Sequence, residues 1–341
     1  MLAFLFVGAA CSGGTATDTT STTATSTSAA AASTSASAST SAPTSVAPST
    51  TTITAGAPLR WTALGDSYSA GIGAGTSIQN ITPDCSRDPA SNYATLGAKL
   101  LQGAGRTVAL DLRACDGATI KEIAAQAAGV TNADAISLTL GGNDFGFSRV
   151  LTQCLIRGCK SYDQPDDRFV SFAREDGRTD WQVLEQRITD ALAGLRPMLA
   201  PNGRVYVLTY PVPFPEQPDE TCLRETAPLS AASRLLANAA IDRLDRAILT
   251  SIAAANAKAG TVFATVVEWR TGLDKPLRTT TDAAGVVRQV RDNPNGICSP
   301  EPMINGIAST ELSDSFHPTD RGLAFAAAAV SGAIATQRGA N

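Results

Sequence analysis

His317 is the only histidine in a chain of 341 residues, and it stands in Asp314-Ser-Phe-His317-Pro318, near the C-terminus. Near the start of the patterned region lies Gly65-Asp66-Ser67-Tyr68-Ser69. A serine hydroxyl is almost never ionised near neutral pH, so a serine nucleophile needs a base to take its proton. The chain offers one histidine for that task, with an acidic residue three positions before it. Ser67, Asp314 and His317 therefore supply, in the order Ser…Asp…His, the residue types of a serine hydrolase.

Regular elements must bring the two ends of the chain together. Leu59–Leu64 reads as a short buried strand running into Gly65-Asp66-Ser67. Ala135–Leu140 reads as another, ending on Gly141-Gly142-Asn143-Asp144. Thr107–Leu112, Arg204–Thr209 and Thr261–Val267 are further strands. Between them, Tyr93–Gln102, Ile120–Ala128, Trp181–Leu199 and Pro228–Ala259 carry helical spacing, with Pro228 suited to a first turn. Thr319–Ile334 is a final Ala-rich helix. Strands alternating with helices imply a mostly parallel sheet covered on both faces. In such sheets ligands bind beyond the carboxyl ends of the strands, which is where Ser67 and Asn143 both fall. Thr152–Arg178 and Arg270–Ile304 resist the pattern and are expected as irregular excursions near the ligand face.

Composition narrows the function. Hydrophobic residues make up 43% of the chain, enough for a substantial core, and the net charge is −4 with no long basic run. That gives no support for nucleic-acid binding or a polybasic membrane patch. Residues 12–57 are nearly all Ser, Thr and Ala, with Asp18 as the single charge, and are expected to be a disordered linker. Residues 1–11 are expected to be an export signal: an apolar run ends in Gly8-Ala9-Ala10-Cys11, which resembles a bacterial lipoprotein signal with Cys11 as the lipidated residue. Residues 58–341 are expected to form one domain. Setting Cys11 aside leaves Cys85, Cys115, Cys154, Cys159, Cys222 and Cys298. With no CxxC pair and no cluster with histidine, they suggest disulfides in an oxidising compartment and no metal site. The expected product is an exported protein, secreted or anchored at the cell surface.

Four blocks in order, Gly65-Asp66-Ser67, Gly117, Gly142-Asn143-Asp144 and Asp314-Ser315-Phe316-His317, resemble the SGNH hydrolases, the GDSL-type esterases and lipases. The resemblance runs from about Leu59 to Val330. Position 69 is Ser rather than Gly, so the serine is not the GxSxG elbow of ordinary α/β-hydrolases. The resemblance implies a three-layer α/β/α sandwich with a mostly parallel, flavodoxin-like central sheet. It implies Ser67 as nucleophile, His317 as base and Asp314 as its orienting partner, a place that a backbone carbonyl takes in some relatives. Ser67 N–H, Gly117 N–H and the Asn143 amide would bind the oxyanion. The likeness to secreted bacterial lipases with three disulfides further implies the pairs Cys85–Cys115, Cys154–Cys159 and Cys222–Cys298. Asp66 and Asp144 are expected to fix loops by accepting backbone N–H groups. The function implied is hydrolysis of a lipid or short-chain carboxylic ester, by a monomer that needs neither cofactor nor metal. A carbohydrate O-acetylesterase or acyltransferase of the cell envelope is an alternative on the same fold. A non-catalytic surface interaction protein on a Ser/Thr-rich stalk is another, opposed by the retention of every block.

Overall fold

The computed structural model describes residues 57–74, 77–146, 180–215, 219–226, 228–269, 278–281, 287–290, 295–307 and 314–339. Residues 1–56, with Cys11, and the Thr152–Arg178 stretch with Cys154 and Cys159 lie outside the described residues. So does much of Arg270–Ile304.

Five parallel strands form the central sheet. They are β1 (Leu59–Gly65), β4 (Val108–Leu112), β5 (Ala133–Thr139), β6 (Leu199–Leu208) and β7 (Ala264–Val267), in spatial order β4-β1-β5-β6-β7. Two antiparallel pairs stand apart from it: β2 (Gln79–Thr82) with β3 (Cys85–Arg87), and β8 (Arg278–Thr281) with β9 (Val287–Val290). The latter pair lies inside a stretch that the sequence had suggested was irregular.

Strands covered on both faces bury successive side chains, and burial is nearly continuous along β1 and β5. Trp61, Leu64, Ile136 and Leu138 are fully buried. Trp61 lies opposite Leu110 on one side and Ala135 on the other. Its indole N–H donates to Ser137 Oγ at 2.8 Å, so this polar group does not go unpaired in the core.

Right-handed crossovers dictate where the helices go. The chain leaves β1 toward one edge to make β4, then reverses past β1 to β5 and continues to β6 and β7. Helix Tyr93–Gly103, on the first crossover, falls on one face and packs against the last helix, Asp320–Gly339. Helices Ile120–Gln126, Asp180–Leu195 and Ala231–Ala259 belong to the reversed crossovers and pack together on the other face. The result is a three-layer α/β/α sandwich with its topological switch between β1 and β5. The crevice beyond the carboxyl ends at such a switch is where open α/β sheets bind ligands.

Local chemistry sets the helix ends. Asn92 caps its helix by accepting the Thr95 N–H at 2.8 Å. Thr119 and Glu122 form a capping box ahead of Ile120. The long helix starts at Ala231, not in a first turn at Pro228, because the Ser230 hydroxyl takes the Ser233 N–H and fixes the start there. The helix expected to reach Leu199 stops at Leu195. Pro197, which lacks an N–H, turns the chain through a short 3-10 segment, and β6 begins earlier than expected, at Leu199.

Candidate active site

Ser67 opens a one-turn helix, Ser67–Ala70, at the carboxyl end of β1. Asp66 caps that turn by accepting the Tyr68 N–H at 3.1 Å. Ser67 Oγ lies 2.7 Å from His317 Nε2, although 250 positions separate the two residues. On the other side of the ring, Nδ1 is 3.2 Å from the Ser315 carbonyl oxygen. A main-chain acceptor thus stands where the sequence had suggested the Asp314 carboxylate. Asp314 opens the same turn, and its carbonyl accepts the His317 N–H at 3.1 Å.

Three features press His317 toward Ser67. Phe316 has a left-handed φ of 65°, unusual for a bulky residue, and this turns the chain sharply just before the histidine. Gly73, at φ +93°, passes so close that an added Cβ would sit 2.5 Å from His317 Cβ. Asn305 holds both sides of this junction. Its Nδ2 donates to the Gly73 carbonyl at 2.7 Å, and its own N–H and C=O pair with His317 O at 2.9 Å and Phe316 N at 3.1 Å.

Asn143 lies in the short helix Gly142–Phe145 at the end of β5, across the switch point from Ser67. Its Nδ2 donates to the Ala118 carbonyl at 2.9 Å. Gly117, the residue before, has a left-handed φ of +72° and open space around the position of a Cβ, so its backbone is not shielded by a side chain. Asp144 Oδ2 accepts the Ile120 N–H at 2.9 Å, which fixes the loop between Gly117 and the following helix. The Cys85–Cys115 disulfide fastens that loop to β3. Cys115 N–H also donates to the Gly65 carbonyl at 3.0 Å, and Asp116 N–H to the Ser86 carbonyl at 2.9 Å. The second disulfide, Cys222–Cys298, is formed as well. The pairing expected for Cys154 and Cys159 falls outside the described residues.

Ser67, Asn143, Ser315 and His317 line one small cavity of about 20 Å³, with Asp66, Tyr68 and Tyr210 beside them. Behind it runs a buried polar network that the motifs did not announce. Asp66 Oδ1 accepts the Thr139 hydroxyl at 2.6 Å, and Oδ2 accepts the Tyr210 hydroxyl. Tyr210 O in turn accepts the Gly142 N–H at 3.2 Å, one residue before Asn143. The Tyr68 ring meets the Tyr210 ring edge-on, 5.1 Å between centroids, and its hydroxyl donates to the Phe316 carbonyl at 2.6 Å. Tyr68 and Tyr210 together connect the serine turn, the asparagine turn and the histidine turn.

Electrostatics follow from this burial. Burial raises the Asp66 carboxyl to about 6, only partly offset by the hydrogen bonds from Thr139, Tyr210 and Tyr68. Burial, and then the neighbouring Asp66 charge, push both Tyr68 and Tyr210 well above the ordinary phenol range, so both are hydroxyl donors near neutral pH. Burial also raises Asp144.

The one signal for Tyr210 in the sequence is its place at a strand end, in Thr209-Tyr210-Pro211. A buried tyrosine hydroxyl requires a partner, and at the carboxyl end of a central strand that partner belongs to the ligand crevice. Gly73 and Asn305 have no comparable signal, since each acts through a tertiary approach.

A family model described as GDSL-like lipase/acylhydrolase matches residues 63–324. Lipase 1 of Streptomyces coelicolor is 27% identical over 267 residues, covering 77% of this chain and 81% of that protein. A lipase of Streptomyces rimosus is 37% identical over 100 residues, 29% of this chain and 35% of that one. Among solved structures, phospholipase A1 from Streptomyces albidoflavus superposes with a TM-score of 0.57 at 23% identity, covering 82% of this chain and 100% of that chain. That last likeness speaks for the fold.

Proposed function

The chain belongs to the GDSL-like lipase/acylhydrolase family and is a serine ester hydrolase, and we propose that Ser67, His317, Asn143 and Gly117 carry its reaction. Ser67 Oγ attacks the ester carbonyl while His317 Nε2 takes the hydroxyl proton. The tetrahedral intermediate collapses as His317 returns that proton to the departing alcohol, leaving an acyl-serine that water then hydrolyses by the same relay. The Ser67 and Gly117 N–H groups and the Asn143 amide stabilise the oxyanion. The Ser315 carbonyl accepts the Nδ1 proton and so leaves Nε2 as the basic nitrogen, while Asp314 shapes the turn that presents the ring. The observation that carries this reading is the 2.7 Å contact between Ser67 Oγ and His317 Nε2 at the end of β1, with Asn143 in the same cavity.

The substrate class that the relatives' names suggest is a lipid ester, and the protein works outside the cytoplasm. Disulfides persist in oxidising compartments, and the Cys85–Cys115 and Cys222–Cys298 bridges fit that setting. Cys11 is the proposed lipid anchor, with the Ser/Thr/Ala-rich segment as its tether. Turnover of a p-nitrophenyl ester series by wild type and Ser67→Ala tests the reaction: activity in wild type and its loss in the variant are expected. An active Ser67→Ala protein would remove Ser67 as nucleophile. For the anchor, wild type is expected in the detergent phase and Cys11→Ala in the aqueous phase. Equal partitioning would discard lipidation.

A further inference from the structure

Arg87 closes β3, and its guanidinium rests on a disulfide. Nη2 lies 3.2 Å from Cys85 Sγ and 3.7 Å from Cys115 Sγ. Nη1 donates to the Leu112 carbonyl, and Nε is buried with no hydrogen-bond partner among the described residues. The cation lacks an anion as well. Among the described residues no carboxylate forms an ion pair with it, and Asp111, whose charge reaches it, is paired with Arg113 at 2.7 Å.

A partly buried cation is costly to hold without a charged partner, and disulfide sulfur is only a weak acceptor. Reduction of the bridge supplies what is missing, because it places a thiolate where the neutral sulfur stood. A cation beside a thiolate lowers the thiol pKa and favours the reduced pair.

The two sulfurs are not equivalent. Cys85 is buried, whereas Cys115 is partly exposed. A thiol from solvent therefore reaches Cys115 more readily, and Cys85 is then the leaving group. Cys85 Sγ is also the sulfur nearer Arg87, and a leaving thiol of lower pKa departs faster. Access and electrostatics favour the same direction of attack.

We propose that Cys85–Cys115 is a site of thiol–disulfide exchange, opened by dithiols, and that its opening frees the Gly117 loop and lowers turnover. A thiolate of the dithiol attacks Cys115 Sγ. The bond between the two cysteines breaks, and its electron pair stays on Cys85 as a thiolate beside Arg87. The second thiolate of the dithiol then attacks its own sulfur in the mixed disulfide and releases Cys115. Two electrons pass to the protein, the dithiol leaves as a disulfide, and its two protons go to solvent or to the new thiols. The loop keeps its bonds from Cys115 N–H to Gly65 O and from Asp116 N–H to Ser86 O but loses its covalent tie to β3. The effect on turnover rests on Gly117 as an oxyanion donor; the exchange does not.

The test equilibrates native wild type, Arg87→Met and Arg87→Lys with reduced and oxidised dithiothreitol in varied ratio. Alkylation of free thiols, read peptide by peptide, reports each bridge. Turnover of p-nitrophenyl butyrate, corrected for thiolysis by the reagent, is followed in parallel samples. Cys85–Cys115 should open in wild type at a ratio about tenfold less reducing than in Arg87→Met, the worth of one charge-assisted hydrogen bond and equal to about 30 mV. Arg87→Lys, which keeps the charge, should fall nearer wild type, and Cys222–Cys298 should respond to neither variant. Turnover by oxidised Arg87→Met shows that this protein is folded. As Cys85–Cys115 opens, kcat should fall by about tenfold or more, toward the worth of an oxyanion donor. A bridge inert to the dithiol, or one that opens equally in wild type and Arg87→Met, would overturn the exchange site. Unchanged kcat in the opened protein would overturn its hold on the loop. No turnover by oxidised wild type would instead sink the hydrolase reading, while alkylation still decides the exchange.

Discussion

Tyr210 is expected to act on catalysis through Asn143, and Tyr210→Phe tests this because it keeps the ring against Tyr68 and removes only the hydroxyl. That hydroxyl accepts the Gly142 N–H at 3.2 Å and donates to Asp66. Its loss leaves one buried backbone donor and one buried carboxylate oxygen short of a partner. Each such group costs about 1–3 kcal/mol, with the charged one at the upper end. The Gly142–Asn143 turn can relieve part of that cost by moving, and movement displaces the amide proposed to stabilise the oxyanion. A single oxyanion donor is worth about 10²–10³ in kcat, so that is the ceiling for Tyr210→Phe, and a fall of about 10–100-fold with little change in KM is expected. The decisive assay is a double-mutant cycle with Asn143→Ala, run where all four proteins are folded. If Tyr210 works by placing Asn143, removing its hydroxyl from Asn143→Ala should cost less than about threefold further. Two effects that simply multiply, or a lowered melting temperature with unchanged kcat, would refute the coupling and make Tyr210 a packing residue.

Asp314→Asn should lower kcat by less than about tenfold, because the Ser315 carbonyl faces Nδ1; a fall of about 10⁴ would return that role to the carboxylate. Gly73→Ala should cut activity far more than its size suggests, since the new Cβ meets His317 Cβ at 2.5 Å on a backbone at φ +93°. Wild-type kinetics in that variant would show that the histidine turn can yield. Asp66 gives a pH signature. Its carboxyl is raised from 3.8 to about 6 by burial, so it holds its proton more tightly folded than unfolded. Its contribution to stability is complete in acid and is lost as pH rises through that interval, by about 3 kcal/mol. The unfolding free energy of Asp66→Asn, measured relative to wild type, should therefore rise by about that amount between about pH 3 and pH 7. A pH-independent difference would mean that Asp66 titrates normally. Peptide mapping without reduction should recover Cys85–Cys115 and Cys222–Cys298, and Cys154–Cys159 as the remaining pair; a crossed pair would displace the loop that carries Gly117.

The residues legible in the sequence and those that were not differ in how they act. Ser67 and Asn143 stand out because each is a polar residue on a glycine-bearing turn directly after an apolar run, and local pattern alone places them beyond strand ends. Their partners depend on which strands are neighbours. Nothing local says that the end of β6 lies across β5 from the end of β1, so Tyr210 reads as one more apolar residue near a proline. Only the order β4-β1-β5-β6-β7 brings its hydroxyl to Asp66 and Gly142. Ser315 meets the His317 ring through its carbonyl, a group every residue carries, and so leaves no mark in composition. Gly73 matters because His317 approaches it, which follows from the turn at Phe316 and the grip of Asn305. Pro228 misled for the opposite reason: its local fit to a helix start was real, but the Ser230 hydroxyl three residues before Ser233 was the stronger signal. Chemistry that touches substrate is thus written in local motifs, while the groups that hold it in place are written in the fold. A buried tyrosine at the carboxyl end of a central strand links the two levels, because its ring is core and its hydroxyl has only the site to bond to.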